Sequence, residues 1–329
     1  MTRQRRRISV YVIYRDDSGR VLLVPMAQSP VDSELWTIPG GVIHHGEEPL
    51  VALLRTLRQQ TNLAPGRLHP RAATADVHVV GGAEPVLCHH ERLIFDAELP
   101  RPRSRPVRAD AAYAEVHVTL GDGARWAAQE ELAGLALDGV AAAALGVPSN
   151  DHETPDWRDL AAAAGLDGLT LAAPDAAGND PDGFTTRRQR FASYGLVTDA
   201  SGRVLLSLIA TGYPGAGRWH LPGGGTDFGE SPASGLLREI VEETGQRARI
   251  GELLTVAHRY TPGALGPEGV PLDWHAVRVV FRAYVDEPTQ PAVVETQGST
   301  AGAAWFPVGE ATELTLTEIA SEMINLHLL

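Results

Sequence analysis

Residues Gly224 to Gln246 read GGTDFGESPASGLLREIVEETGQ, and this stretch decides how the rest of the chain is understood. Ser231 followed by Pro232 is a helix start: a hydroxyl to cap free amides, then a ring at the first helical position. Gly245 stands where helices end in a left-handed residue. Between them Ala233, Leu236, Leu237 and Ile240 recur at three- and four-residue spacing and predict a core-facing stripe. Glu239, Glu242 and Glu243, also three and four apart, are expected to share the opposite face. Carboxylates so close repel one another, and a hard divalent cation such as Mg²⁺ or Mn²⁺ relieves that repulsion. A glutamate run alone ordinarily marks a solvated helix face. The glycine loop, Glu230 and Arg238 at fixed spacing turn the reading toward a metal site.

Gly224, Glu230, Arg238, Glu239, Ile240, Glu242, Glu243 and Gly245 fall in an order that resembles the Nudix box. Only Gln246 departs, at a position that packs rather than reacts. The resemblance implies an α/β class, with tandem α/β/α sandwiches built on mixed sheets. It implies a pyrophosphohydrolase in which water attacks a phosphorus of a diphosphate with Mg²⁺ or Mn²⁺ bound. Glu239, Glu242 and Glu243, joined by the Gly223 carbonyl, are the implied metal ligands, and Gly224, Glu230 and Gly245 the implied structural positions. Arg238 cannot ligate a metal; its fork is expected to hold Glu230 or a box glutamate in place, and it is grouped with the catalytic residues. The general base stays open between a box glutamate and Glu295 on a later loop.

The chain contains this pattern twice. Ser18-Gly19-Arg20-Val21-Leu22-Leu23 recurs as Ser201-Gly202-Arg203-Val204-Leu205-Leu206, an offset of 183 that also carries Trp36 onto Trp219 and Pro39-Gly40-Gly41 onto Pro222-Gly223-Gly224. Arg125-Trp126 resembles Ala304-Trp305 at an offset of 179, so a few loop residues differ between the copies. The expected domains are 1–147, a linker with a short helix (Trp157 to Ala164) over 148–184, and 185–329. Alternation predicts strands at Val10–Tyr14, Val21–Pro25, Tyr194–Thr198 and Val204–Leu208, with later strands at Glu91–Glu98 and His275–Tyr284. A terminal helix is expected over Leu314–Leu326. In the first copy, GVIHHGEEPLVALLRTLRQQTNL from Gly41 to Leu63 keeps Glu47 and Arg55. Thr56, Gln59 and Gln60 replace the three glutamates, and Asn62 replaces the capping glycine. The helix is expected to survive and the metal affinity to vanish. The adjacent pairs His44-His45 and His89-His90 are set aside as metal sites, since neighbours on a strand point to opposite faces.

A net charge of −13 argues against general nucleic-acid binding, and all 28 basic residues are arginines. Arg3, Arg5, Arg6 and Arg7 read as a solvated arm. One cysteine, Cys88, excludes an internal disulfide and fits a reducing compartment. The first apolar run, Ile8 to Ile13, is far too short for a membrane span, and cytoplasm is the expected location. The expected partner is a small nucleoside-diphosphate-type substrate: a nucleotide sugar, an ADP-ribose-like compound or a nucleoside triphosphate. Arg259, Tyr260, Trp274 and Arg278 are its candidate contacts. Trp219 and Arg282 are weighed beside them, with core packing the alternative for the tryptophans. A non-catalytic nucleotide or metabolite sensor on paired domains is the rival reading, and it suits the first copy better than the second. An isoprenoid-diphosphate isomerase on the same fold would want a catalytic cysteine, and Cys88 lies in the wrong copy. Intramolecular pairing of the copies is expected, with room for a homodimer as well. Pairing predicts that residues 185–329 expressed alone are unstable or weakly active; full activity from that fragment would sink it.

Overall fold

The computed structural model describes residues 4–26, 35–80, 86–98, 123–147, 186–265, 271–295 and 298–329. The first copy runs β1 (Gln4–Tyr14), β2 (Val21–Pro25), β3 (Trp36–Thr37), β4 (Gly40–Val42), α1 (Pro49–Thr61), β5 (Leu68–Val80), β6 (Val86–Ala97), β7 (Arg125–Ala127), α2 (Gln129–Leu132) and α3 (Gly139–Leu145). The second runs β8 (Thr186–Asp199), β9 (Val204–Ile209), β10 (Trp219–His220), β11 (Gly223–Gly225), α4 (Pro232–Thr244), β12 (Arg249–Leu265), β13 (Pro271–Val285), β14 (Thr300–Phe306), α5 (Val308–Ala311) and α6 (Glu318–His327). Each strand expected from alternation is present, most of them longer than the pattern indicated. The stretch 148–184, expected as linker, lies outside the described residues together with its helix candidate.

The repeat is visible in detail. Asp16 Oδ1 accepts the amides of Ser18 and Arg20 at 3.0 and 2.9 Å, closing the turn from β1 to β2. Asp199 does the same for Ser201 and Arg203 at 3.0 and 2.9 Å between β8 and β9. Trp126 lies opposite Leu22, and Trp305 opposite Leu205, which is the second offset expressed as strand register.

Strands assemble into sheets in the orders β4-β1-β6-β5, β3-β2-β7 and β10-β9-β8-β13-β12, with β11 added to β8 and β14 to β9. The largest sheet is mixed, because β13 pairs β8 in parallel and β12 antiparallel. Alternation along β8 separates its two faces. Leu196 enters a core with Val204, Leu206, Val280 and the α6 residues Ile319, Ala320, Met323 and Ile324. Gly195, next in line, faces Leu236 of α4, where a Cβ would stand 3.4 Å from the leucine. Helices therefore cover both faces, as the α/β/α expectation requires.

Contacts divide the chain into one unit of Met1–Arg6, Ala72–Glu91 and Gly168–Leu329 and another of Arg7–Arg71 and Arg92–Asp167. Among the described residues no helix is long and apolar enough to cross a membrane.

The expected helix over Leu314–Leu326 is shorter and begins at Glu318. The Trp219 amide donates to Thr315 O and the Thr317 amide to Trp219 O, each at 2.9 Å, so this segment is held extended along Trp219. The copies match here too: Trp36 donates to Ala136 O, and Asp138 donates to Trp36 O. The arginine arm also differs from expectation. β1 begins at Gln4, and the Arg6 side chain is only 17% exposed, because it has partners described below.

Helix ends follow the sequence. Ser231 Oγ accepts the Ser234 amide at 3.1 Å, and Gly245 caps α4 at φ 69°, matched by Asn62 on α1 at φ 58°. Gly245→Ala is expected to lower stability by about 1–2 kcal/mol in urea unfolding, and Gly245→Asn by less. A Cβ there also meets the Ala292 carbonyl at 3.1 Å. An alanine variant as stable as wild type would remove the left-handed cap from the account.

Candidate functional site

The site is built where β11 meets α4. Gly223 has φ 138°, and a Cβ on it would run into the Ser193 carbonyl, so only glycine can occupy this rung beside β8. A Cβ on Gly224 would come within 2.7 Å of Glu239 Oε1, so the bare backbone is what lets that carboxylate lie against the strand.

Arg238 organises the acidic cluster. Its Nε donates to Glu230 Oε1 at 3.0 Å and its Nη2 to Glu230 Oε2 at 3.1 Å, a two-pronged grip. Nη2 also reaches the Gly225 carbonyl at 2.9 Å, while Nη1 donates to Glu242 Oε2 at 2.9 Å and Glu239 Oε1 at 3.1 Å. One guanidinium thus gathers three carboxylates, and it does not neutralise them. Burial pushes Glu239 up to about 7; Arg238 pulls the other way, and Glu243 and Glu242 add to the rise.

Glu243 departs from the expected open face. It is 6% exposed and lies beside Leu236 and Ile240 on the packed side of α4. Its Oε2 accepts the Gly223 amide and Ser207 Oγ, each at 3.0 Å, and its Oε1 accepts Thr300 Oγ1 at 2.6 Å. Burial raises its pKa against these three bonds. Glu243 is thus a strut joining α4 to β9, β11 and β14. Gln246 packs as its position suggested: it is 1% exposed, and its amide group trades hydrogen bonds with Thr289 at 2.8 and 2.9 Å.

Glu295 is brought to the cluster. The amides of Val294 and Glu295 donate to the Glu242 carbonyl at 2.8 and 3.0 Å, docking this loop on the end of α4. Its charge contributes to the raised pKa of Glu243. The other candidates lie elsewhere on the sheet. Arg259, Tyr260 and Trp274 occupy neighbouring rungs of β12 and β13, and the Tyr260 hydroxyl bonds Asp273. Arg278 shares the α6 face with Val280 and lies near His220, whose pKa is lowered to about 4 by burial and then by Arg278. Trp219 is partly buried and packs against the core, edge to face with Phe306 at 4.8 Å. Arg282 lies over the Tyr284 ring.

Two arginines were missed. Arg190 of β8 lays its guanidinium against Gly225, where a Cβ would meet its Nη2 at 2.5 Å. The Arg6 Nη2 donates to the Thr226 carbonyl at 2.6 Å, to Thr226 Oγ1 at 3.0 Å and to the Asp227 carbonyl at 3.2 Å. It also pairs with buried Glu91 at 3.1 Å, and His89 sets its ring against Phe228. All these residues belong to the unit that holds α4. Strand alternation could have put Arg190 with Ala192 on one face; nothing local announces Arg6.

In the first copy Arg55 grips Glu47 at 2.7 and 2.8 Å and reaches the Val42 carbonyl. Gln60 takes the place of Glu243, accepting the Gly40 amide and donating to the Gly40 carbonyl, each at 3.0 Å. Thr56, in place of Glu239, is buried and returns its hydroxyl to the Ala52 and Leu53 carbonyls.

Comparison with known proteins agrees with the doubled arrangement. A model of the NUDIX domain matches residues 5–142 and again residues 188–326. A MutT-like protein of Streptomyces ambofaciens is 31% identical over 119 residues, covering 36% of this chain and 64% of that protein. Diphosphoinositol polyphosphate phosphohydrolase 3-alpha of Homo sapiens is 36% identical over 77 residues, 23% of this chain and 43% of that protein. The chain therefore spans less than two thirds of the length of either relative. Among solved structures, the MutT protein of Methanosarcina mazei Go1 covers 43% of this chain and 93% of its own, with 20% identity and a TM-score of 0.34.

The raised pKa of Glu239 has a measurable consequence. Such a group supports the fold below its ordinary value of 4.5, and that support is lost as pH rises through about 7. In chelator-treated protein, Glu239→Gln is expected to raise Tm relative to wild type at pH 8, on the order of a few degrees, and to change it little at pH 4. Equal effects at both pH values would sink the assignment.

Proposed function

Because the chain belongs to the NUDIX domain family, we propose that it is a divalent-metal-dependent hydrolase of phosphoric anhydrides. The second copy is its working site, and the substrate is a nucleoside diphosphate joined to a second moiety. The observation that carries this reading is the Arg238 fork. It collects Glu230, Glu239 and Glu242 around one positive charge, leaving an excess of hard oxygen donors beside a glycine strand. That donor set fits Mg²⁺ or Mn²⁺, which prefer carboxylate and carbonyl oxygens. Bound there, the ion would offset the charge of the phosphates and activate the attacking water.

The protein's own groups divide the remaining work. Glu239 and Glu242, together with the Gly223 carbonyl, would hold the metal. Glu243, tied on both oxygens, holds the glycine strand at its working distance. Glu295 on its docked loop, or a box glutamate, accepts the proton of the water as a P–O–P bond breaks into two phosphate products. Arg190 stands beside Gly225 to meet a phosphate, with a guanidinium suited to paired oxygens. A curated relative named for a diphosphoinositol polyphosphate supports an anhydride as the scissile group and leaves the attached moiety open.

The first copy is proposed to be hydrolytically silent. Thr56 satisfies its own hydroxyl within α1, and the neutral Gln60 closes both of its bonds on Gly40, so neither offers a charged ligand. Its contribution is proposed to be support: Arg6, with Glu91 and His89, steadies residues Thr226 to Gly229 just ahead of Glu230.

Incubation with Mg²⁺ or Mn²⁺ and a panel of nucleoside triphosphates, nucleotide sugars, dinucleotides and coenzyme diphosphates is expected to release phosphate products from at least one class. Glu242→Gln, which copies Gln59, should lower that rate by at least about a hundredfold. A wild type as inactive as the variant on every compound, while still binding a nucleotide, would replace hydrolysis with sensing.

A further inference from the structure

Strand β6 presents polar groups on both faces. His89 and Glu91 point one way, to Arg6 and the loop before Glu230. Cys88 and His90 point the other way. On the neighbouring strand β5, Asp76 and His78 are likewise two residues apart and share a face. The His78 and His90 rings lie 5.7 Å apart between centroids, and His78 Nδ1 is 3.2 Å from Asp76 Oδ1. The ligand atoms of Asp76, His78 and His90 all fall within 4.8 Å of one another. Cys88, a free and fully buried thiol, also bonds His78. All four residues belong to one compact unit.

We propose that Asp76, His78 and His90, with Cys88 as the fourth donor, form a site for a borderline divalent transition metal of the zinc class, separate from the box carboxylates. Two imidazoles, a carboxylate and a thiolate make a four-ligand set of the kind that closes tetrahedrally around zinc. Imidazole and sulfur donors select such ions against Mg²⁺, which the oxygen-rich cluster at Arg238 suits instead. A simple ion pair would need only Asp76 and His78. The convergence of His90 and Cys88 on the same imidazole is what supplies a ligand set. The ligand atoms of Asp76, His78 and His90, within 4.8 Å of one another, need to draw together by roughly an ångström to share an ion at bonds of about 2.0–2.3 Å. An ion there would clamp β5 to β6, the strand whose opposite face serves the loop before Glu230.

The test uses the full chain, stripped with a chelator and titrated with Co²⁺ in excess Mg²⁺. Expected is a single tightly bound equivalent showing tetrahedral d–d bands and a thiolate charge-transfer band. His90→Ala should weaken binding by about a hundredfold or more. Cys88→Ser, the milder change, should erase only the charge-transfer band. Glu242→Gln should leave the stoichiometry unchanged. Absence of the Co²⁺ spectrum, its indifference to His90→Ala in protein of native circular dichroism, persistence of the charge-transfer band in Cys88→Ser, or its loss in Glu242→Gln would each overturn the proposal. Should His90→Ala not fold, the Cys88→Ser spectrum decides.

Discussion

In both copies one side chain near the end of the helix reaches back and takes the backbone amide of a glycine in the strand before it. Glu243 does this for Gly223, and Gln60 does it for Gly40. The bond fixes the distance between helix and strand, and every other feature of the site is measured from that distance. Glu239 can lie on Gly224 and Arg238 can reach the Gly225 carbonyl only while the glycine strand stays against the helix. Ser207 and Thr300 complete the anchorage from β9 and β14, so the same carboxylate ties the helix to three strands. A buried carboxylate without these donors would be costly; with them it acts as a structural pin.

The comparison of the copies separates scaffold from chemistry. The arginine–glutamate grip is retained in both, at Arg238–Glu230 and Arg55–Glu47, and so is the left-handed cap. These features therefore belong to the fold. The second copy keeps in addition the carboxylates of Glu239 and Glu242, the two box positions whose oxygens are not consumed by backbone anchorage. Thr56 fills the position of Glu239 with a methyl group 2.7 Å from where a Cβ on Gly41 would stand, so the close approach survives while the charge does not.

What could be read from the sequence was what is local. The repeat, the Ser231 and Gly245 caps and the strand positions depend on neighbours a few residues away, and they match closely. The misreadings share a cause, which is a partner distant in the chain. Glu243 was expected to share the face of Glu239 and Glu242 because Ser207 and Thr300 are invisible to helical periodicity. The run Thr315–Thr317 looked helical because its extended shape is imposed by Trp219. Arg6 looked solvated because Thr226 lies 220 residues on. The Asp76, His78, Cys88 and His90 cluster needed the placement of β5 beside β6, which spacing alone does not supply.

The raised pKa of Glu239 marks a physical difference between the two copies. Burial first, and then the nearness of Glu243 and Glu242, disfavours the ionised form of Glu239 against the pull of Arg238, and the pH at which Glu239 ionises measures that cost. The first copy carries none of it: Thr56 bonds within its own helix, and Gln60 satisfies donor and acceptor on Gly40. Neutral side chains at these positions carry no such repulsion, and Glu91 beneath Arg6 adds a contact to the residue that meets the loop before Glu230. The tension is confined to the residues that the proposed chemistry requires, and the rest of the chain is free to be rigid.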